Sequence, residues 1–252
     1  MSRIIGTTPA RRRGRHGALL AAAILIAVPG AARAAPGLAE EVYPATVEQG
    51  EPEVELRYGR LGGGPDDGED ALKVEAGYGV SNRLRLAGAV EFEREAGQNR
   101  RAEAGAIEAI YALGQAGGID VAVYGEYEIG FHGPDAIETK LLLQRRSGPF
   151  DLRLNLIAEK PLASGAKVEL GYAAGGYAAV SEGVQLGVEA YGGLGAFDRF
   201  APRDEHFIGP VAKFEVEGLG PELGLQVGYL FALGAARDDT DGQLQVRLEM
   251  EF

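Results

Sequence analysis

"GQLQVRLEMEF", residues 242–252, ends the chain on an aromatic side chain. Leu244, Val246, Leu248, Met250 and Phe252 share one parity, while Gln243, Gln245, Arg247, Glu249 and Glu251 share the other. A period of two is the mark of a β-strand with one apolar and one polar face. The alternation alone does not say whether the apolar face meets a protein core or lipid.

The other end of the chain bears on that choice. Residues 1–16 carry Arg3, Arg11, Arg12, Arg13 and Arg15 without an acid, and the apolar run "GALLAAAILIAV" (17–28) follows. With small residues at Ala32 and Ala34, this reads as a secretory signal peptide over 1–34, cleaved before Ala35. The run is too short for a spanning helix, which needs roughly 20 apolar residues. Residues 1–34 hold six Arg and no acid, so their removal takes the net charge from −12 to −18. A chain so acidic lacks the basic footprint that nucleic acid requires. Cysteine is absent, which excludes disulfides and thiolate metal sites. Nothing in the sequence asks for a cofactor.

From Pro52 onward the alternation recurs in about twelve segments of roughly ten residues, the length of a tilted membrane-spanning strand. They fall near 53–61, 71–80, 83–93, 103–113, 119–129, 136–146, 151–160, 167–178, 183–193, 206–216, 222–232 and 243–252. One parity is nearly free of charge, as in Leu72, Val74, Ala76, Tyr78 and Val80, while the opposite parity holds Lys73 and Glu75. Long connections such as "GGGPDDGE" alternate with short ones such as "SN". Outer-membrane barrels alternate external loops with periplasmic turns in this way. Tyr58, Tyr78, Phe92, Tyr111, Tyr127, Tyr229, Phe231 and Phe252 sit on the apolar parity near strand ends, where aromatic girdles lie.

The pattern predicts an all-β fold, a transmembrane antiparallel up-and-down β-barrel of about 12 strands over residues 52–252, with the apolar parity toward lipid. Residues 35–51 are expected to form a short periplasmic N-terminal segment. A soluble sandwich would need large inward apolar side chains, whereas this apolar parity is rich in Gly and Ala.

The terminal "RLEMEF" resembles the assembly signal of Gram-negative outer-membrane proteins. By that resemblance Leu248, Met250 and Phe252 would be read by the barrel-assembly machinery. The stretches "VEQGEPEVELRYG", "EFEREAG", "YGEYEIG", "LNLIAEKP", "GVEAYGGLG", "EHFIGPV" and "GYLFALG" resemble an uncharacterised proteobacterial family of about twelve-stranded outer-membrane barrels, sometimes labelled as transporters. The resemblance covers most of the chain from about Val47. It implies a monomer in the outer membrane of a Gram-negative bacterium, handled by periplasmic chaperones and bounded by outer-membrane lipids and lipopolysaccharide.

Charge on the inward parity is the functional signal. Glu91, Glu93, Glu126, Glu128, Glu159 and Glu189 are expected to line the lumen with Arg57, Lys73 and Lys140, and inward acids outnumber inward bases roughly two to one. An unpaired acidic excess along a water path would select cations, which gives a narrow cation-preferring passive channel for small solutes. Alternatively the charges pair across strands and fill the barrel, leaving a closed structural or surface-binding barrel without transport. The long fifth loop, 194–205, is a candidate to fold into the mouth. An outer-membrane lipid hydrolase is a third reading, which needs Ser and His together on the outer rim. His132 and His206 are the only histidines beyond residue 34, and no serine is spaced to join either. Closure would bring together the first and last external loops, whose Asp66, Asp67, Asp239 and Asp241 are candidate ligands for a divalent ion. The plainer reading of those loops is a solvated acidic rim.

Overall fold

The computed structural model describes residues 38–200, 205–216 and 221–252. The expected signal peptide, 1–34, lies outside the described residues. Strands β1 (Pro52–Gly62), β2 (Asp70–Ser81), β3 (Leu84–Arg94), β4 (Arg101–Ala116), β5 (Ile119–Gly130) and β6 (Ala136–Ser147) form the first half of the wall. The second half holds β7 (Phe150–Pro161), β8 (Glu169–Ser181), β9 (Val184–Ala196), β11 (Glu205–Val216), β12 (Glu222–Gly234) and β13 (Gly242–Glu251). Between β9 and β11, the two-residue β10 (Arg199–Phe200) folds back on the end of β9 and adds nothing to the wall.

Each strand pairs antiparallel with its neighbour in sequence, and β13 pairs with β1 from Glu53↔Glu251 to Gly62↔Gly242. The sheet is therefore a closed 12-stranded barrel. Closure leaves no strand edge without a hydrogen-bonding partner, the condition for sheet in hydrocarbon. Two residues separate β2 from β3, β4 from β5, β6 from β7 and β8 from β9, while the intervening connections are longer. In outer-membrane barrels the short-turn end is periplasmic.

Side-chain parity decides which solvent each face meets. Val123 is 40% exposed and Leu225 39%, whereas neighbouring Ala122 is fully buried. Val90, Leu141, Leu156, Leu186, Val227 and Leu244 are also exposed, and together they make an apolar outer belt. The charged parity turns inward, where Arg57, Glu75, Glu108, Lys140 and Glu189 are buried.

The described N-terminal residues depart from the expected periplasmic lead. Leu38, Ala39, Val42, Tyr43 and Ala45 are buried and pack on inward residues of the wall. The chain reaches β1 through Gly50, whose N–H donates to the Gly79 carbonyl (2.8 Å) at the short-turn end. Its far end lies beside Gly59 and Leu61, near the opposite end of β1. Residues 38–49 thus thread the lumen along much of its length. The segment leaves the periplasmic side because the wall offers hydrogen bonds to its backbone and cations to its acids.

Candidate functional site

The site is the lumen with this segment inside it. Two glycines on the inward parity make room for the segment. A β-carbon on Gly59 would lie 2.7 Å from Leu38 Cδ1 and 2.8 Å from the Ala39 nitrogen, and one on Gly79 would overlap the Glu48 carbonyl oxygen. Close approach of two backbones at these points requires glycine.

Fully buried Asn155 and Gln144, with half-buried Arg153, satisfy the segment's backbone. The Tyr43 N–H donates to Asn155 Oδ1 (2.7 Å), and Asn155 Nδ2 donates to the Tyr43 carbonyl (3.1 Å). Gln144 Oε1 accepts from the Ala45 N–H (3.0 Å), and Arg153 Nη1 donates to the Val42 carbonyl (3.2 Å). Buried peptide groups left unpaired would each cost about 1–3 kcal/mol, so these amides fix where the segment sits.

Charge fixes it further. Glu40 meets Lys140 Nζ at 2.6 Å, and Glu41 meets Arg247 Nη1 at 3.0 Å and Arg57 Nη1 at 3.8 Å. Between them the Tyr43 ring lies 5.0 Å from Tyr124, and Lys140 Nζ stands 4.8 Å from each ring. The Tyr43 hydroxyl accepts from Arg57 Nη1 (2.9 Å) and donates to Glu108 Oε2 (3.2 Å).

The expected lining residues divide into two groups. Arg57 is a hub joined to Glu55 (2.6 Å) and to Glu75, and Lys73 joins Glu108 (2.9 Å) and Glu126 (3.1 Å). Lys140 also meets Glu138 (3.1 Å). Glu189 accepts from the Tyr177 and Tyr191 hydroxyls (2.6 and 2.8 Å) and from Gln226. In contrast Glu91, Glu93 and Glu128 have no ion pair or hydrogen-bonding side-chain partner among the described residues. Register also sets carboxylates directly opposite one another across β4 to β8, as Glu108↔Glu126, Glu126↔Glu138, Glu138↔Glu159 and Glu159↔Glu169. Lys73 pairs with Glu108 and Glu126 of this row, and Lys140 pairs with Glu138.

Beside the segment is a cavity of about 310 Å³ that reaches the short-turn rim at Glu51, Glu215 and Glu251. Lys213 and Arg153 border it, and the Lys213 ammonium stands 3.7 Å from the centre of the Tyr177 ring.

Outside the lumen, closure does bring the first and last long loops together. The Asp66 N–H donates to the Asp239 carbonyl (3.0 Å), and the Asp67 carboxylate accepts from the Gly63 N–H (3.1 Å). Partial burial and the Asp66 charge raise the Glu69 carboxyl above its ordinary range. Among the described residues, however, the carboxylates close enough to share a cation are Glu53, Glu55 and Glu249, none of them in the loops. Asp241 lies against Gly63. Arg85 pairs with Glu53 (3.0 Å), so cations of the protein already serve that trio.

In the fifth long connection Phe197 is 79% exposed and Phe200 66%, so the described part of it does not fill the mouth. The N-terminal segment fills the lumen instead. His206 Nδ1 is 3.3 Å from the Tyr172 hydroxyl, and no serine hydrogen-bonds to either His132 or His206 among the described residues. Leu248 and Met250 lie on the outward parity of β13, and the Phe252 N–H donates to the Pro52 carbonyl (3.0 Å) at the short-turn end.

No family model matches the chain, and no curated protein is similar to it in sequence. Solved structures share its architecture. The COG4313 outer membrane channel from Pseudomonas putida F1 superposes with a TM-score of 0.56 and 13% identity, over 87% of this chain and 100% of that one. The NanC porin gives 0.55 and the KdgM porin 0.53, each at 10% identity over 79% of this chain and 98% of theirs. The fold is that of outer-membrane porins and channels.

Proposed function

We propose that this protein is a narrow outer-membrane channel for small solutes, cation-preferring, whose resting state is closed by residues 38–49. The observation that carries the reading is the polar character of the obstruction. Beside its apolar contacts, the wall holds the segment's backbone and acids through amides, guanidiniums and a lysine, which supports a hydrophilic passage behind it. The shared architecture with porins and channels supports the same reading.

Cation preference follows from the inward carboxylates of Glu91, Glu93 and Glu128, which no cation of the described wall meets in an ion pair. Between low-dielectric walls an acidic excess concentrates cations and repels anions. Export by a cleaved signal peptide, recognition of Phe252 by the assembly machinery, and a monomer surrounded by outer-membrane lipid and lipopolysaccharide complete the proposal.

The buried ion-pair network around Arg57 favours the rival reading of a permanently closed structural barrel. Recording from refolded full-length protein in planar bilayers separates the two. Cation-selective current supports the channel, and silence from folded protein with the segment displaced supports the closed barrel.

A further inference from the structure

Three of the side chains that hold the segment read its peptide backbone. Asn155 takes one N–H and one carbonyl of the same residue, Gln144 takes the N–H two residues on, and Arg153 takes the preceding carbonyl. These contacts fall on the backbone of Val42, Tyr43 and Ala45 and come from two adjacent strands, β6 and β7. Side-chain preferences are added at fixed positions. Lys140 and the Arg247–Arg57 pair receive two successive carboxylates. An aromatic slot formed by Tyr124, Lys140, Arg57 and Glu108 receives a tyrosine two positions after the second acid.

The C-terminal end of the occupant is joined to the barrel. Its link is Gly50, at φ +87°, which leads directly into β1. The 310 Å³ cavity runs along the flank of Tyr43, Pro44, Thr46 and Val47, so solvent from the short-turn end reaches the segment's side. A binding site whose occupant is flanked by solvent can exchange that occupant for a free one of the same chemistry.

We propose that the lumen wall at β6–β7 is a peptide-binding site, occupied in cis by residues 38–47. The ligand it takes in trans is an acidic peptide with two successive carboxylates followed at the second position by an aromatic residue. The cavity beside the segment opens at the short-turn end, so the ligand comes from that end. This site stands whether or not ions pass through the barrel.

Gly79→Val in the full-length protein tests it, because the added side chain overlaps the tethered segment at Glu48 and leaves the rest of the site intact. A free peptide with the sequence of residues 38–47 ends before that overlap. Labelled with a fluorophore, it should bind Gly79→Val saturably, and unmodified protein at least about tenfold more weakly. Adding Asn155→Leu, or replacing both peptide glutamates with Gln, should weaken binding about tenfold or more, a factor that corresponds to about 1.4 kcal/mol. Absence of saturable binding to a Gly79→Val protein whose segment has become protease-sensitive would overturn the proposal, as would equal binding of a scrambled peptide. Should that variant fail to fold, unmodified protein decides. Excess peptide then exposes the tethered segment to protease if the site exchanges, and unchanged protection overturns the proposal.

Discussion

Asn155 and Tyr43, 112 positions apart in the chain, exchange two hydrogen bonds in the middle of the barrel. Asn155 is fully buried and Tyr43 nearly so, so water cannot replace either bond. Asn155→Leu keeps the volume and removes both partners, leaving the Tyr43 N–H and carbonyl unpaired. The expected loss in seating of the segment is about 1–3 kcal/mol for each group left unsatisfied. Hydrogen exchange at the Tyr43 amide should accelerate at least about tenfold, while amides of β5 and β6 stay protected. Unchanged exchange at Tyr43 would show that the pair does not hold the segment.

Lys140 tests the electrostatic part. Lys140→Met strands Glu40 and Glu138, and breaking a buried pair by removing one partner costs about 3–5 kcal/mol. Adding Glu40→Gln to that variant should recover part of the loss, because one of the stranded carboxylates is then neutral. A double-mutant cycle read by denaturant titration of refolded protein gives the coupling. Strict additivity of the two substitutions would mean that the Lys140–Glu40 contact contributes nothing.

The two faces of the wall predict different penalties. Val123→Arg puts a cation into lipid and should cost about 2–4 kcal/mol if the position lies near the bilayer midplane. Ala122→Arg should also be costly, for a different reason. Ala122 is fully buried in the cluster with Tyr43, Tyr124 and Leu142, so the new side chain collides with the segment. Gly224→Arg faces the cavity beside Glu249 and should cost clearly less than either. Equal penalties at Val123 and Gly224, measured by denaturant titration, would contradict the assignment of faces.

Legibility in the sequence followed the periodicity. The expected segments 53–61, 136–146 and 222–232 fall inside β1, β6 and β12, and the inward placement of Arg57, Lys73 and Lys140 follows from the same parity. The segment over residues 38–49 was opaque because it has no period. Leu38, Glu41, Val42 and Tyr43 are buried on all sides, and their partners lie on strands far along the chain. A trace of it existed in the inward glycines 59 and 79 and in the uncharged inward amides Gln144 and Asn155. Such residues mark a wall approached by another backbone. Pairing was equally hidden, since parity places charges on a face without saying which meet. Lys73 takes Glu126 out of the free acidic set, and Lys167 meets Asp198 in the long connections at 2.7 Å, away from the lumen.

Phe252 provides a test in the cell. Deleting it should lower abundance in the outer membrane while leaving export unchanged, because the terminal strand then lacks the aromatic that the assembly machinery would read. Fractionation measures both quantities. Wild-type abundance after the deletion would remove Phe252 from the assembly account, and full-length protein soluble in the periplasm would contradict the membrane barrel.

Conductance in planar bilayers tests the central claim most directly, with unmodified protein and Gly59→Val recorded side by side. Gly59→Val presses on Leu38 and Ala39 and should release the tip of the segment. The account predicts a mostly silent unmodified barrel and a small, cation-preferring current from the variant at 0.1 M salt. That preference should fade toward 1 M as the screening length shrinks from about 10 Å to about 3 Å. Anion preference, or silence from a folded variant whose segment is open to protease, would contradict it.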